Sequence, residues 1–511
     1  MTDPARTPVI IGVGDLRSGR AGSPADPREP LDLIVEATRA ALADTGAADE
    51  LASRVDTVRA VKTASWSYDD LPGLLAERIG ATPEHTSTTP IGGHWPAALL
   101  DRIAHDIAAG ISSVALLVGG ESQASVTGAL KAGTDPTALG WVTAPGGPPA
   151  FDPDDLGSAA MQRAAMVAPT RVYPLFENRF SHRLGHSREK SIEWSAQLYG
   201  AFSALAADNP ASWNPDLRTA EAIRTVGPKN RAVTDPYPLL MNAMPFVDQA
   251  AAVVVTSLAT ARELGVADDH LLYVWGGAGA TEPADILARA DFGHSAALAD
   301  ALRRTLDRAD LRATDFDIID AYSCFPVVPK LLVEHLGLPR DTVPSATGGH
   351  SFFGGPLNSY TLHSIVAVAR RLRTDGELAL VHGNGGYLTY QHVVVLGCAP
   401  HTDGYIGDPE PVPMPASATE TAVDYSGEVE IITATAEFGR DGIPSIGFLI
   451  GVTPDGRRVS GHTDAVGAQI LAAGTDIIGT SVHVVDRGGS LTLASTTAAA
   501  SHHHPEDETP G

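Results

Sequence analysis

Apolar residues along the chain fall into short continuous runs separated by amphipathic stretches, an alternation that predicts strands and helices in turn. Val9, Ile10, Ile11 and Val13 form a first buried strand ending on glycine. Leu31 to Leu42 and Ala97 to Ile107 carry apolar residues at helical spacing, and Val114 to Val118 is a strand-length run that stops at Gly119-Gly120. Such alternation predicts a parallel or mixed sheet covered on both faces. From about 121 to 245 the pattern lapses into a stretch rich in Pro, Gly, Trp and Tyr, with one amphipathic helix from about Ser191 to Ala207. That stretch reads as an insertion packed over the sheet. The first pattern returns over 248–398, with strands at Ala251 to Thr256 and Phe316 to Ala321 and a helix at Ser295 to Leu306.

Two stretches repeat one another. Gly92 to Gly120 and Gly354 to Gly386 each hold a glycine pair, a proline near a helix start and a helix of about four turns. A glycine turn and an apolar strand running into glycines follow in both. Proline suits a first helical turn because its missing N–H has no partner there anyway. Six features in one order point to an internal duplication.

Beyond 400 the signal is β. Pro409 to Pro415 is proline-rich, and Val429 to Ala434, Ile446 to Val452, Thr480 to Val485 and Leu491 to Leu493 read as strands, with Asp455-Gly456 as a hairpin turn. A small closed barrel of the OB type is expected. The expected organisation is therefore a first half over 1–120, an inserted loop domain over 121–245 and a second half over 246–400. A linker over 401–426, a β domain over 427–498 and a tail over 499–511 complete it. His502 to His504 in that tail read as a polar chain end.

Charge narrows the functions. The chain nets −25, and residues 401–511 hold sixteen Asp and Glu against four Arg and no Lys, so nucleic acid is an unfavourable partner even for an OB-type barrel. No apolar run reaches the roughly 20 residues of a membrane span, and the first residues lack the pattern of a signal peptide. Cys324 and Cys398 alone cannot build a metal cluster or a disulfide framework, which fits a reducing cytoplasm.

A glycine pair before a helix lets the backbone approach a ligand, and the helix end offers free N–H groups. Two such ends converging would suit an oxyanion or a thioester carbonyl; close helix–strand packing is the plainer alternative. Cys324 in DAYSCFPVV lies between a strand and a helix, where a thiol pKa can fall. His382 ends the strand LALVHGNGG, at a position that faces a pocket more often than a core. His94 sits at the first glycine loop and His350 just before the second.

These segments resemble the thiolase superfamily over roughly residues 7–398. NAMPFVDQAAAVVVTS, from Asn242 to Ser257, is similar to the segment that opens the second half of thiolases. DAYSCFPVVPKLLVEHLGLP stands where thiolases carry NEAF, or HDCF in the sterol-carrier type. TGGHSFFGGPLNSY stands at the GHP motif and HGNGG at the final CxG motif. VYPLFENRF, NPASW, YSCFP, FFGGP and the extra β domain resemble the type-1 thiolase-like proteins, many of them actinobacterial. The resemblance implies an α/β thiolase fold of two βαβαβαββ halves in α-β-α-β-α layers, with an inserted loop domain and a small C-terminal OB-like β-barrel. It also implies CoA or acyl-CoA as ligand, no permanently bound cofactor, no metal, and Claisen condensation or its reverse as the ancestral reaction.

Carried over one by one, the nucleophilic cysteine of CxS falls on Gly93, with His94 next. The histidine of GHP falls on Gly355, the cysteine of CxG on His382, and the asparagine of NEAF on Tyr322. The HDCF cysteine alone is matched, by Cys324, which is similar to an acid/base residue of the sterol-carrier type. A glycine cannot accept an acyl group, so standard thiolysis is not expected. The candidate catalytic groups are Cys324, His382, Tyr322 and His94. The loops offered as pocket or oxyanion donors hold Gly93, Gly348, Gly349, Gly354, Gly355, Asn384 and Gly385. Arg179, Arg183, Lys229 and Arg231, with Arg188 and Lys190, are candidates for the CoA phosphates. Two functions follow: an acyl-CoA-handling enzyme with altered chemistry, or a non-catalytic acyl-CoA binder working with a protein partner through its C-terminal domain. An extra domain over the usual subunit contact predicts a monomer.

Overall fold

The computed structural model describes residues 3–20, 23–24, 26–149 and 157–494; the tail with His502 to His504 lies outside them. In the first half β1 (Pro8–Arg17) is followed by α1 (Pro30–Asp44), β2 (Thr57–Ala60), α2 (Leu71–Ile79) and β3 (His85–Thr88). Then come α3 (Trp95–Ala109) and β4 (Val114–Ser122). After an insertion containing α4 (Pro169–Arg183) and α5 (Arg188–Asp208), β5 (Asp248–Ser257) closes that half. The second half holds β6 (Leu272–Thr281), α6 (Ala296–Ala309), β7 (Ile318–Asp320), α7 (Val327–His335), α8 (Tyr360–Leu372), β8 (Leu378–Gly385) and β9 (Tyr390–Gly397).

Strand pairing repeats between the halves. In the first, β2 runs parallel to β4, which is antiparallel to β5, itself antiparallel to β1. In the second, β7, β8, β9 and β6 follow the same sequence of directions. A short antiparallel contact of β1 with β6, at Val9 with Tyr273 and Ile10 with Leu272, joins the two sheets. The counterpart of β3 is reduced in the second half to one backbone bond, from Ala321 N–H to Pro344 C=O at 3.0 Å.

Side-chain parity then sorts the core into layers. Residues Ala115, Leu117, Val253, Ala379, Val381, Val394 and Leu396 face a central layer that contains α3 and α8. Their neighbours Val114, Leu116 and Val254 face α1 and α2, while Leu380 and Val393 face α6, α7 and the insertion. The order is helix, sheet, helix, sheet, helix. Pro96 at the start of α3 and Gly110 at its end, with φ +75°, bound that central helix as a proline start and a glycine stop.

Past the second half, β10 (Asp408–Pro413) pairs in parallel with β6. The barrel follows: β11 (Ser426–Phe438), β12 (Pro444–Val452), β13 (Arg458–Thr463), helix α9 (Ala465–Leu471), β14 (Ser481–Arg487) and β15 (Ser490–Ala494). The strands close in the order β11-β12-β13-β15-β14-β11, with β13 and β15 the one parallel pair, which is an OB-like arrangement. Its joint with the body is polar and buried. Thr433 Oγ1 donates to Leu175 C=O at 2.6 Å and Asn178 Nδ2 to Ala434 C=O at 2.8 Å. Arg458 donates to the carbonyls of Leu287 and Arg289, both at 2.6 Å.

Candidate functional site

The two glycine loops meet at the starts of α3 and α8, and they hold each other. Asn358 Oδ1 accepts from Gly92 N–H at 3.0 Å, and Thr361 Oγ1 donates to the Gly93 carbonyl at 2.8 Å. Part of the backbone that sequence reading offered to an oxyanion is therefore already paired. Beside Gly93 stands Tyr322: a Cβ added to Gly93 would lie 2.6 Å from both Cε2 and Cζ of the ring. The tyrosine fills the volume that a side chain at position 93 would need.

Tyr322 leads to a cluster of rings. Its centroid is 4.3 Å from that of His350, whose ring stacks on Tyr360 at 3.4 Å. His350 Nδ1 lies 3.2 Å from Ser323 Oγ, and Nε2 is buried without a partner. Burial holds the His350 pKa well below the usual imidazole range, so the ring is neutral. Burial also lifts the Tyr322 phenol well above its ordinary range, and its hydroxyl makes no hydrogen bond among the described residues. Gly355, where the GHP histidine was expected, has His350 for a neighbour: a Cβ there would lie 3.5 Å from Cδ2 of that ring.

His382 and His94 are not brought together. His382 shares the outer face of β8 with Leu380, while Gly383 and Gly385 face the central layer. On the outer face His382 Nε2 donates to Gln391 Oε1 at 2.7 Å, Gln391 Nε2 to Asn384 Oδ1 at 2.8 Å, and Asn384 Nδ2 to Tyr173 OH at 3.0 Å. The Cys324 thiol hydrogen-bonds the same Tyr173. His382, Asn384 and Cys324 thus belong to one buried polar chain on the far side of the sheet from His94. Burial pulls the His382 pKa down to about 4, with the Gln391 bond opposing.

The expectation of an activated thiol is corrected here. Cys324 is half-buried, and desolvation pushes its pKa up to about 12, against the helix-start effect anticipated from sequence. His94 packs where Gly385 has no side chain; a Cβ at Gly385 would collide with Nδ1 of the imidazole. It also stacks on Tyr390 at 5.0 Å, and burial takes its pKa to about 3.

The remaining glycines serve close packing. Gly348, at φ +106°, lies against Ala206 of α5, with 2.5 Å left for a Cβ beside the Ala206 nitrogen, and Gly349 lies against Phe202. Gly354 lies against Gln249. The basic residues divide into separate groups. Arg179 faces Asp291 at 3.8 Å and Arg183 pairs with Glu334 at 3.0 Å. Arg188 is paired with the buried Asp235, and Lys190 and Lys229 are exposed. Arg231 shares a cavity of about 480 Å³ with Arg171 and Arg440, at the seam between insertion and barrel. Sequence reading passed over Tyr360, Ser323, Gln391 and the buried pair Asp101–His392. Of these only Gln391 and His392 lie on a strand, β9, where they point to opposite faces.

Likenesses to known proteins bear on this geometry. Residues 410–489 match the model of the thiolase-like protein type 1 additional C-terminal domain. Acetyl-CoA acetyltransferase of Methanothermobacter thermautotrophicus is 25% identical over 382 residues, covering 70% of this chain and 91% of that protein. The dimeric peroxisomal thiolase of Saccharomyces cerevisiae superposes with a TM-score of 0.55 at 15% identity, covering 78% of this chain and 98% of its own, a likeness of fold. The crystal structure of a monomeric SCP2-thiolase-like protein type 1 from Mycobacterium smegmatis superposes with a TM-score of 0.79. It is 30% identical and covers 96% of this chain and 100% of its own. With that identity over nearly the whole chain, and the family's C-terminal domain matched at 410–489, the chain belongs to the type-1 SCP2-thiolase-like proteins.

Proposed function

We propose that the protein binds CoA thioesters without carrying the acyl group covalently. The observation behind this reading is the Tyr322 ring in the space beside Gly93. An acyl-enzyme needs a nucleophile at that place and a base to activate it; a glycine and a phenol that keeps its proton supply neither. What they supply is recognition. The unpaired Tyr322 hydroxyl is a hydrogen-bond donor for a thioester carbonyl, and the neutral His350 behind it adds no charge to repel or attract the ligand. Arg231, with Arg171 and Arg440, is the group we assign to the CoA phosphates. The protein acts as a monomer in the cytoplasm, with its barrel free for a protein partner. The acetyl-CoA acetyltransferase likeness supports CoA-thioester handling, and the monomeric relative supports a monomer.

A second reading keeps catalysis. The Cys324 thiol stays protonated and joins a chain through Tyr173 and Asn384 to Gln391 and His382, an arrangement suited to donating a proton rather than to nucleophilic attack. Calorimetry with acetyl-CoA and acetoacetyl-CoA, followed by thioester consumption in wild type and Cys324→Ala, separates the two. Binding without turnover supports the binder, and turnover lost in Cys324→Ala supports the enzyme. Failure to bind either ester sinks both.

A further inference from the structure

A cavity of about 400 Å³ lies between the first turns of α3 and strands β6 and β9, with Pro409 to Pro411 of β10 along one side. That volume is in the range of small-molecule sites. Its walls are largely apolar, with Leu99, Ala98, Ala280 and Pro411 among them, and His94, Trp95 and His392 also line it, beside the paired Arg102 and Glu410. His94 and Trp95 hold polar atoms without partners: His94 Nδ1 and Trp95 Nε1, both buried. His94 is itself 8% exposed.

His392 is set differently. Its Nε2 lies 2.9 Å from Asp101 Oδ2, and Asp101 Oδ1 accepts from Tyr405 OH at 2.7 Å and from Gly277 N–H at 3.2 Å. Asp101 is fully buried and His392 nearly so. A carboxylate held in this way fixes the imidazole's orientation and keeps the proton on Nε2, which leaves Nδ1 as an acceptor. Among the described residues Nδ1 has no partner. Gly279 stands beside it, where a Cβ would come within 2.6 Å. The cavity thus combines largely apolar walls with one oriented acceptor, while the buried His94 Nδ1 and Trp95 Nε1 lie out of a ligand's reach. A hydroxyl group is a neutral donor that an otherwise apolar molecule can bring to that acceptor.

We propose that this cavity binds a small apolar molecule carrying a hydroxyl group, whose proton His392 Nδ1 accepts while Asp101 holds the ring. Gln391 also lines this cavity, but the inference uses neither that residue nor CoA-thioester binding.

Benzyl alcohol and toluene share a ring and differ in the hydroxyl, so they are the probes. Titrated calorimetrically into the full-length protein, benzyl alcohol is expected to bind about tenfold more tightly than toluene, the discrimination of one buried hydrogen bond. His392→Leu removes the acceptor and should bring the two affinities together. Because that change also strips Asp101 of a partner, Ala98→Leu is the second variant. It narrows the cavity without touching the dyad, and should weaken both probes at least tenfold while the circular dichroism spectrum stays that of wild type. Equal affinities in wild type, absence of binding, or unchanged binding in Ala98→Leu would each overturn the proposal.

Discussion

The Tyr322 ring occupies the volume beside Gly93, so close that a Cβ on the glycine would lie 2.6 Å from two of its carbons. The two residues are exchanged in bulk relative to the thiolase pattern: the small residue stands where a cysteine is expected, and the large one where an asparagine or histidine is expected. Restoring the cysteine alone therefore meets a wall. Gly93→Cys is expected to destabilise the protein by about 1–3 kcal/mol through overpacking, and Gly93→Cys/Tyr322→Ala to lose less than the sum of its two single changes. Thermal unfolding of both single variants and the double against wild type measures it. Gly93→Cys as stable as wild type would show that the ring moves aside freely.

A second expectation concerns pH. Burial lowers the pKa of His382 to about 4 and of His94 to about 3, and His350 moves the same way. In the unfolded chain each histidine takes its proton near pH 6.5, so the unfolded state binds more protons below that value. Stability is full above pH 6.5 and is lost as pH falls toward the folded pKa values. Each such group contributes a slope of about 1.4 kcal/mol per pH unit within the window. Denaturant titrations between pH 6.5 and 5 in wild type and His382→Gln should differ by one such slope. Parallel curves would rule out a neutral, buried His382.

The fold was legible because duplication leaves repeated apolar runs, and runs survive divergence better than single side chains. The site was less so. LALVHGNGG is buried on both faces, and with no polar alternation nothing in it marks His382 as facing the outer layer and Gly385 the central one. Tyr322 and Gly93 are far apart in the chain, and their mutual exclusion is a matter of volume that no local motif records. Gly348, Gly349 and Gly354 read as ligand loops because glycine before a helix serves two purposes; the packing against Ala206, Phe202 and Gln249 identifies the purpose here. The helix-start position of Cys324 suggested activation, but desolvation outweighs it.

A fully buried ion pair ties the insertion to the second half: Lys330 Nζ on α7 lies 2.7 Å from Glu177 Oε1 on α4, with Ser195 Oγ also 2.7 Å from the ammonium. Tyr237 OH donates to the other carboxylate oxygen at 2.7 Å. Removing one partner leaves a charge without its counter-ion in the core. Lys330→Met is expected to cost about 3–5 kcal/mol, and Lys330→Met/Glu177→Leu distinctly less. Chemical denaturation midpoints of both variants test this. A loss under about 1 kcal/mol in the single variant would mean that water reaches the pair.

Cys324 decides between a nucleophile and a proton donor. With burial pushing its pKa to about 12, the thiolate is scarce at pH 8, whereas a free cysteine titrates near 8.5. Since the thiolate is the reactive form, alkylation by iodoacetamide at pH 8 should be slower than that of a free thiol by a factor on the order of 10³. Peptide mapping after timed labelling separates Cys324 from Cys398, and Tyr173→Phe removes the side-chain hydrogen bond that partly opposes the upward shift. In that variant the labelling rate should fall further. Labelling of wild-type Cys324 at the rate of a free cysteine would make it an exposed, ionisable thiol. That result would revive it as a nucleophile on the opposite side of β8 from His94.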